Sequence, residues 1–473
     1  MAHLFFIKTY GKVGAWPELG MDVVERPATA RLVSQIDFEK SARGNHGICG
    51  VHRMSCFATL LVVSLAAAES LAQNDAGPLA DLPSKPGPHI EKIRALGDNE
   101  WLRLGSPAPD PKWGKARGSS WGARAFAAAP DKRGAFLFGE GVHAYVKPDG
   151  RAMDDLWFYD VNAHAWKCLH PGTNTKTFSQ KVKDKELLID ENAQLVDKEK
   201  RPVPVHQLVH AWGYLTYDTD RSKFAFLSWN GTDNPIPRCF LGGEREMDEG
   251  LKLLEEQIKA KKKRVFSPWF YDVASGRFER SAANNSTAIS AGGFPQFHYI
   301  AARKQFFAVG TSTVAVYDPA KNQWTDAKPK GPSPKGYDAG GCFDSKRGRI
   351  YRSDGDDSKG EGLMAYDIAG NVWSHLKPTG TAPPPASTNA AFYEYDARLD
   401  RVVAIHFKGK SPGVFVYDPT TNAWAAPLPF PADGPRFEFA ANTFFDRELN
   451  AFFCHVAGDS RDDGVIWVYR YKK

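Results

Sequence analysis

Tyr317-Asp318-Pro319-Ala320-Lys321-Asn322-Gln323-Trp324 and Tyr417-Asp418-Pro419-Thr420-Thr421-Asn422-Ala423-Trp424 share one pattern. In each, a strand ends on Tyr, Asp-Pro and Asn make a turn, and a second strand opens on Trp. The same spacing recurs from Tyr159 to Trp166, Tyr271 to Phe278 and Tyr366 to Trp373. A sixth copy, Val465-Ile466-Trp467-Val468-Tyr469, reaches the C-terminus with no aromatic after it. The last four steps between these tyrosines are 46, 49, 51 and 52 residues. A fixed period of this length is the mark of a repeat fold.

A second hairpin precedes each tyrosine. An Asp with basic residues is followed by an apolar run, as in Phe343-Asp344 with Lys346-Arg347 before Ile350-Tyr351, or Phe445-Asp446-Arg447 before Ala451-Phe452-Phe453. Two hairpins make a four-stranded unit, and the chain holds six. Such a unit cannot bury both its faces alone, whereas radial stacking buries them and leaves only short edges. The expected fold is therefore all-β, a six-bladed β-propeller. The sixth unit lacks its outer strand. Glu100-Trp101-Leu102-Arg103-Leu104 supplies a matching one near the other end of the chain, so it is expected to pair beside Val465–Tyr469 and close the ring.

These motifs resemble the Kelch-type propeller, which includes the central domain of galactose-oxidase-like proteins, over residues 99–473. The paired glycines usual after the second strand are reduced here, as in Val309-Gly310 and Lys408-Gly409. The resemblance implies two classes of activity. One is a binding module. The alternative is a carbohydrate-active enzyme, either a sugar mutarotase or epimerase or, behind it, a copper-radical oxidase. The residues leave open whether the chain is an enzyme. For a mutarotase-like reading, Glu438 or Asp338 with Arg124 and His210 would form the acid–base set. No copper set of Cys, Tyr and His can be placed.

The remaining sequence divides as follows. Residues 1–53 lack periodicity and read as an over-called start or extended leader, expected to be disordered. Residues 54–73, with Met54 as a start, read as a signal peptide. Their apolar run 57–68 is too short to span a bilayer comfortably, and Ser70-Leu71-Ala72 resembles a cleavage site. An exported, periplasmic or extracellular protein without a stable membrane span is expected. Residues 74–98, rich in Pro, Gly and Asp, read as a linker. Cys168 and Cys239 are candidates for a disulfide, while Cys342 and Cys454 are expected as buried thiols.

One interval breaks the period. Tyr159 to Tyr271 spans 112 residues, and two insertions in the region of blade 2 account for the excess. Residues 171–206 contain an expected β-hairpin around Glu191-Asn192. Residues 231–265 contain an expected amphipathic helix, Glu244 to Lys263, with Met247, Leu251, Leu254 and Ile258 on one face. Acids crowd the start of that helix and lysines its end, which suits the helix dipole. The basic run at 259–264 thus needs no nucleic acid, and a net charge of +6 scattered over 473 residues makes no groove for one. In a propeller, the loops between strands 2 and 3 and those between successive blades leave by the same face. Both insertions are of these kinds. They are expected together over one mouth of the channel, where long loops on a rigid scaffold carry function.

Alignment of the inner strands places Arg124, His210, Trp212, Tyr337, Asp338, Asn389 and Glu438 at that mouth. Aromatic faces with Arg and carboxylates suit a glycan or a small acidic ligand; a protein ligand is the other partner considered. The 2–3 loops add His143, Asp154, Asp155, Asp459, Asp462 and Asp463. Asp354, Asp356 and Asp357 are the candidate Ca²⁺ ligands, in a turn that lacks full EF-hand spacing; no other cofactor is expected. No Gly-x-Ser-x-Gly, P-loop, His-Glu-x-x-His or Cys-x-x-Cys motif occurs.

Overall fold

A computed structural model describes residues 77–118, 126–138, 150–151, 154–191, 194–203, 213–227, 249–261, 268–281, 296–310, 313–335, 340–353, 362–384, 391–407, 412–435, 441–458 and 463–473. Within them, six small antiparallel sheets form a six-bladed β-propeller. Four strands run outward from the axis in each blade. The inner strands are Phe126–Ala129, Leu215–Asp218, Gln296–Ile300, Gly341–Asp344, Ala391–Asp396 and Asn442–Asp446 for blades 1 to 6. Blade 5 gains a short fifth strand, Thr379–Gly380, parallel to Ala423–Trp424.

The ring closes as the sequence predicts. Glu100–Gly105 pairs antiparallel with Gly464–Arg470, setting Trp101 opposite Tyr469. The outer strand of blade 6 therefore comes from the opposite end of the propeller sequence.

The repeat motif has a hydrogen-bond basis. Asp318 and Asp418 accept backbone N–H groups of their own turns through Oδ1. Asn322, Asn371 and Asn422 adopt positive φ, a conformation that Asn tolerates better than most residues. There each accepts the phenol of the tyrosine five residues earlier, at 2.8–2.9 Å. The following Trp is buried against that tyrosine, with ring centroids 5.2 or 5.3 Å apart. Cys342 and Cys454 are buried in strands, as expected; Cys239 lies outside the described residues.

Two expectations need revision. Residues 77–98 are not a free linker. Leu79, Leu82, Ile90, Ile93 and Leu96 join the core cluster that includes blade 1, and His89–Ala95 is a helix. Its His89 Nε2 lies 2.8 Å from the Val161 carbonyl oxygen, and Ser84 donates to Asp160 at 2.9 Å. Five buried apolar side chains outweigh a Pro- and Gly-rich composition. The second revision concerns 171–206, which holds a helix, Thr175–Lys183, as well as a hairpin of Leu187–Ile189 with Leu195–Asp197.

Candidate functional site

The central channel is lined by all six inner strands. A cavity of ≈ 340 Å³ lies there, bordered by residues including Thr216, His298, Glu394 and Thr443, and by the first-hairpin turns at Pro130, Thr219, Ala301, Ser345 and Arg447. These turns define the face opposite the insertions.

On that opposite face several polar groups join neighbouring blades. Tyr217 of blade 2 donates to Asp131 of blade 1 at 3.0 Å, and Tyr299 of blade 3 to Asp220 of blade 2 at 2.7 Å. Arg347 of blade 4 donates to both carboxylate oxygens of Asp400 in blade 5, at 2.6 and 2.9 Å. Arg133 of blade 1 reaches both oxygens of Asp446 in blade 6 at 2.8 Å. A looser ion pair, Arg447 with Glu394 at 3.9 Å, joins blades 6 and 5. Burial and the adjacent carboxylates push the Tyr217 and Tyr299 phenols well above their ordinary range, so both remain neutral donors. The Arg347 guanidinium holds Asp400 well below the usual carboxylate range. Groups committed in this way have a structural role.

The insertions occupy the other face by connectivity. Helix Thr175–Lys183 follows the outer strand of blade 1, and helix Glu249–Lys261 lies between the second and third strands of blade 2. The two helices pack together, and strand Leu187–Ile189 contacts both. Their crossing is close: a Cβ on Gly250 would stand 2.2 Å from Ser179 Oγ and 2.4 Å from its carbonyl oxygen. Phe178, Val182 and Leu254 are buried. Segments from two separate connections thus form one module. Its hairpin extends beyond the mouth. Asp197, Lys200 and Arg201 share a ≈ 610 Å³ cavity with Arg277 and Arg280, on the outer strand of blade 2. The hairpin therefore also shields an edge strand.

Arg124, His210, Trp212, Tyr337, Asp338, Asn389 and Glu438 lie outside the described residues, as do His143, Asp354, Asp356, Asp357, Asp459 and Asp462. In sequence each of the seven mouth candidates stands a few residues ahead of an inner strand, and the structure brings those strands around one axis. Asp154 and Asp155 are described, and both are buried supports. Asp154 accepts the Thr173 N–H at 2.7 Å and the Thr173 hydroxyl, fixing the start of the first insertion. Asp155 accepts Trp157 Nε1 at 2.6 Å. Asp463 accepts Ser106 and Lys115, tying blade 6 to the chain that follows the closing strand. Among the described residues no group of three or more His, Cys, Asp or Glu is placed to hold a metal ion.

Two buried histidines carry no clear signal in the sequence. His406 and His455 are fully buried on second strands. His406 Nε2 shares a hydrogen bond with Tyr393 at 3.0 Å. His455 stands opposite Asn442 in the strand register, and neither ring nitrogen of the one nor either amide atom of the other is paired. Burial lowers the pKa of both histidines to about 3. The only signal in the sequence is a polar residue inside an apolar run, Phe452-Phe453-Cys454-His455-Val456.

These features define the class: a six-bladed propeller with bonds between neighbouring blades on one face and an inserted module on the connections of the other. No family model and no curated protein matches the chain. Among solved structures it is similar to a chain in the "Crystal Structure of Mitotic Checkpoint Complex", with a TM-score of 0.38 and 8% identity, covering 80% of this chain and 93% of that one.

Proposed function

We propose that this chain is an exported Kelch-type binding module that takes a small polar ligand, a sugar or small acid, at the insertion-bearing mouth of its channel. The observation that carries this reading is the division of labour between the two faces. Several polar side chains on the first-hairpin face bridge neighbouring blades, whereas two independent insertions on the connections of the other face form one packed unit. Such elaboration on a rigid scaffold is characteristic of binding surfaces. Arg124, His210, Trp212, Tyr337, Asp338, Asn389 and Glu438 are the proposed contacts, with the indole and phenol stacking and the charged groups bonding hydroxyls or carboxylates. Export is supported by the apolar run 57–68 with its small-residue sequel. No helix among the described residues is long and apolar enough to cross a membrane. The test is ligand binding by the full chain and by its Arg124→Ala and His210→Ala variants.

A further inference from the structure

The repeat permits a position-by-position comparison of blades, and blade 6 stands apart. The motif tryptophans Trp166, Trp324, Trp373 and Trp424 are at most 5% exposed, while Trp101 is partly exposed. Two residues before the motif tyrosine, blades 1 to 5 carry Trp157, Trp269, Ala315, Met364 and Phe415, all at most 2% exposed. Trp467 holds that position in blade 6 and is partly exposed.

Blade 2 shows what covers the equivalent surface. There Arg280 pairs in register with Trp269 and lies 5.0 Å over its ring. The insertion hairpin closes over the pair, bringing Asp190 near enough to act on the Arg280 charge. Blade 6 has the same pairing, Arg103 opposite Trp467, with Arg103 exposed. In place of a hairpin there is a groove of ≈ 450 Å³. Trp101 and Trp467 wall it, Glu100, Arg103 and Asp433 edge it, and its far side is the segment leading in from blade 5. Phe430 packs edge-on against Trp101 at 5.3 Å and holds it in place.

We propose that this groove binds a neutral saccharide unit. An indole offers a flat apolar face for the C–H side of a pyranose at little entropic cost. Asp433 accepts from hydroxyls, and Arg103 donates to them; the Glu100 carboxylate, which accepts the Gly97 N–H at 2.8 Å, adds its charge. One cation against two carboxylates gives no net attraction for an acidic sugar. The site stands on the perimeter and does not depend on the channel mouth.

The test is the full chain on immobilised neutral oligosaccharides of glucose, mannose and galactose, with uronic-acid oligosaccharides alongside, followed by calorimetry on the best neutral binder. The expected result is neutral-glycan binding that falls at least tenfold in Arg103→Ala and in Trp467→Leu and is unchanged in Lys321→Ala, at an exposed turn of blade 3. Asp433→Asn, at an exposed turn, serves if Trp467→Leu fails to fold, and should weaken binding several-fold. Binding confined to the uronic-acid glycans, absence of glycan binding, or neutral-glycan binding indifferent to Arg103 would each overturn the proposal. Loss in Arg124→Ala but not in Arg103→Ala would assign the sugar to the channel mouth and also overturn it.

Discussion

Tyr469 donates its phenol hydrogen bond to Asn99 Oδ1 at 2.9 Å, joining the last strand of the propeller to the residue just ahead of its first. Blades 3, 4 and 5 make the same bond between residues five apart. Asn99 has the same positive φ as its counterparts and precedes Trp101 as Asn322 precedes Trp324. The ring closure is thus a complete copy of the repeat turn, divided between two distant parts of the chain.

Asn99→Ala should therefore destabilise the ring by about 1–2 kcal/mol, because it removes the bond and places Ala at positive φ. Asn99→Gly should cost less, since Gly accepts the backbone conformation. Urea unfolding midpoints of the two variants against the native chain measure the difference.

Arg347 bridges Asp400 of the next blade and Asp344 of its own. Asp344 is fully buried. Arg347→Ala leaves the buried Asp344 carboxylate without its cation, while Asp400 keeps Lys346 at 2.7 Å, and a loss of about 3 kcal/mol is expected. Because Arg347 keeps Asp400 ionised, the native chain should also lose stability as pH falls below the normal carboxylate value near 3.8. The variant should show less of that acid dependence.

The buried histidines act in a higher pH window. His406 and His455 have folded values near 3 against an ordinary 6.5. Above pH 6.5 both states are neutral and nothing is lost. Between 6.5 and 3 the unfolded chain takes up protons that the folded chain refuses, so stability falls as pH falls. His455 and Asn442 are also unpaired at the hydrogen-bond level, so the double variant His455→Leu/Asn442→Leu removes two desolvation penalties. It is expected to match or exceed native stability at pH 7 and to lose less on going to pH 4. Stability measured at both pH values checks the sign.

Gly250→Val tests the inserted module. A side chain there meets Ser179 on the neighbouring helix, and overpacking of this kind costs about 1–3 kcal/mol. Hydrogen exchange should quicken in 175–183 and 249–261 while the blades keep their protection. Ligand binding at the mouth should weaken with it.

The blades and their closure were legible because each depends on local chemistry. The Tyr-Asp-x-x-x-Asn-x-Trp turn encodes its own hydrogen bonds, and an outer strand missing at Tyr469 implied a donor near Trp101. Helix Thr175–Lys183 was not legible, since Phe178 and Val182 are its buried apolar residues in an otherwise polar stretch and show no sustained period. The segment 77–98 misled for the opposite reason. Its prolines and glycines dominate the composition, yet Leu79, Leu82, Ile90 and Ile93 decide its place by burial. Asp154 and Asp155 looked like candidate ligands because a sequence shows carboxylates without showing that Thr173 and Trp157 already occupy them.

The most direct measurement is calorimetric titration of the full chain with a small acid or acidic sugar found by screening, repeated on Arg124→Ala, His210→Ala and, at the opposite end of the channel, Arg447→Ala. Binding lost in the first two and kept in the third is the predicted result. A small acid or acidic sugar bound equally well by the native chain and by both the Arg124→Ala and His210→Ala variants would contradict the assignment of function to the insertion-bearing mouth.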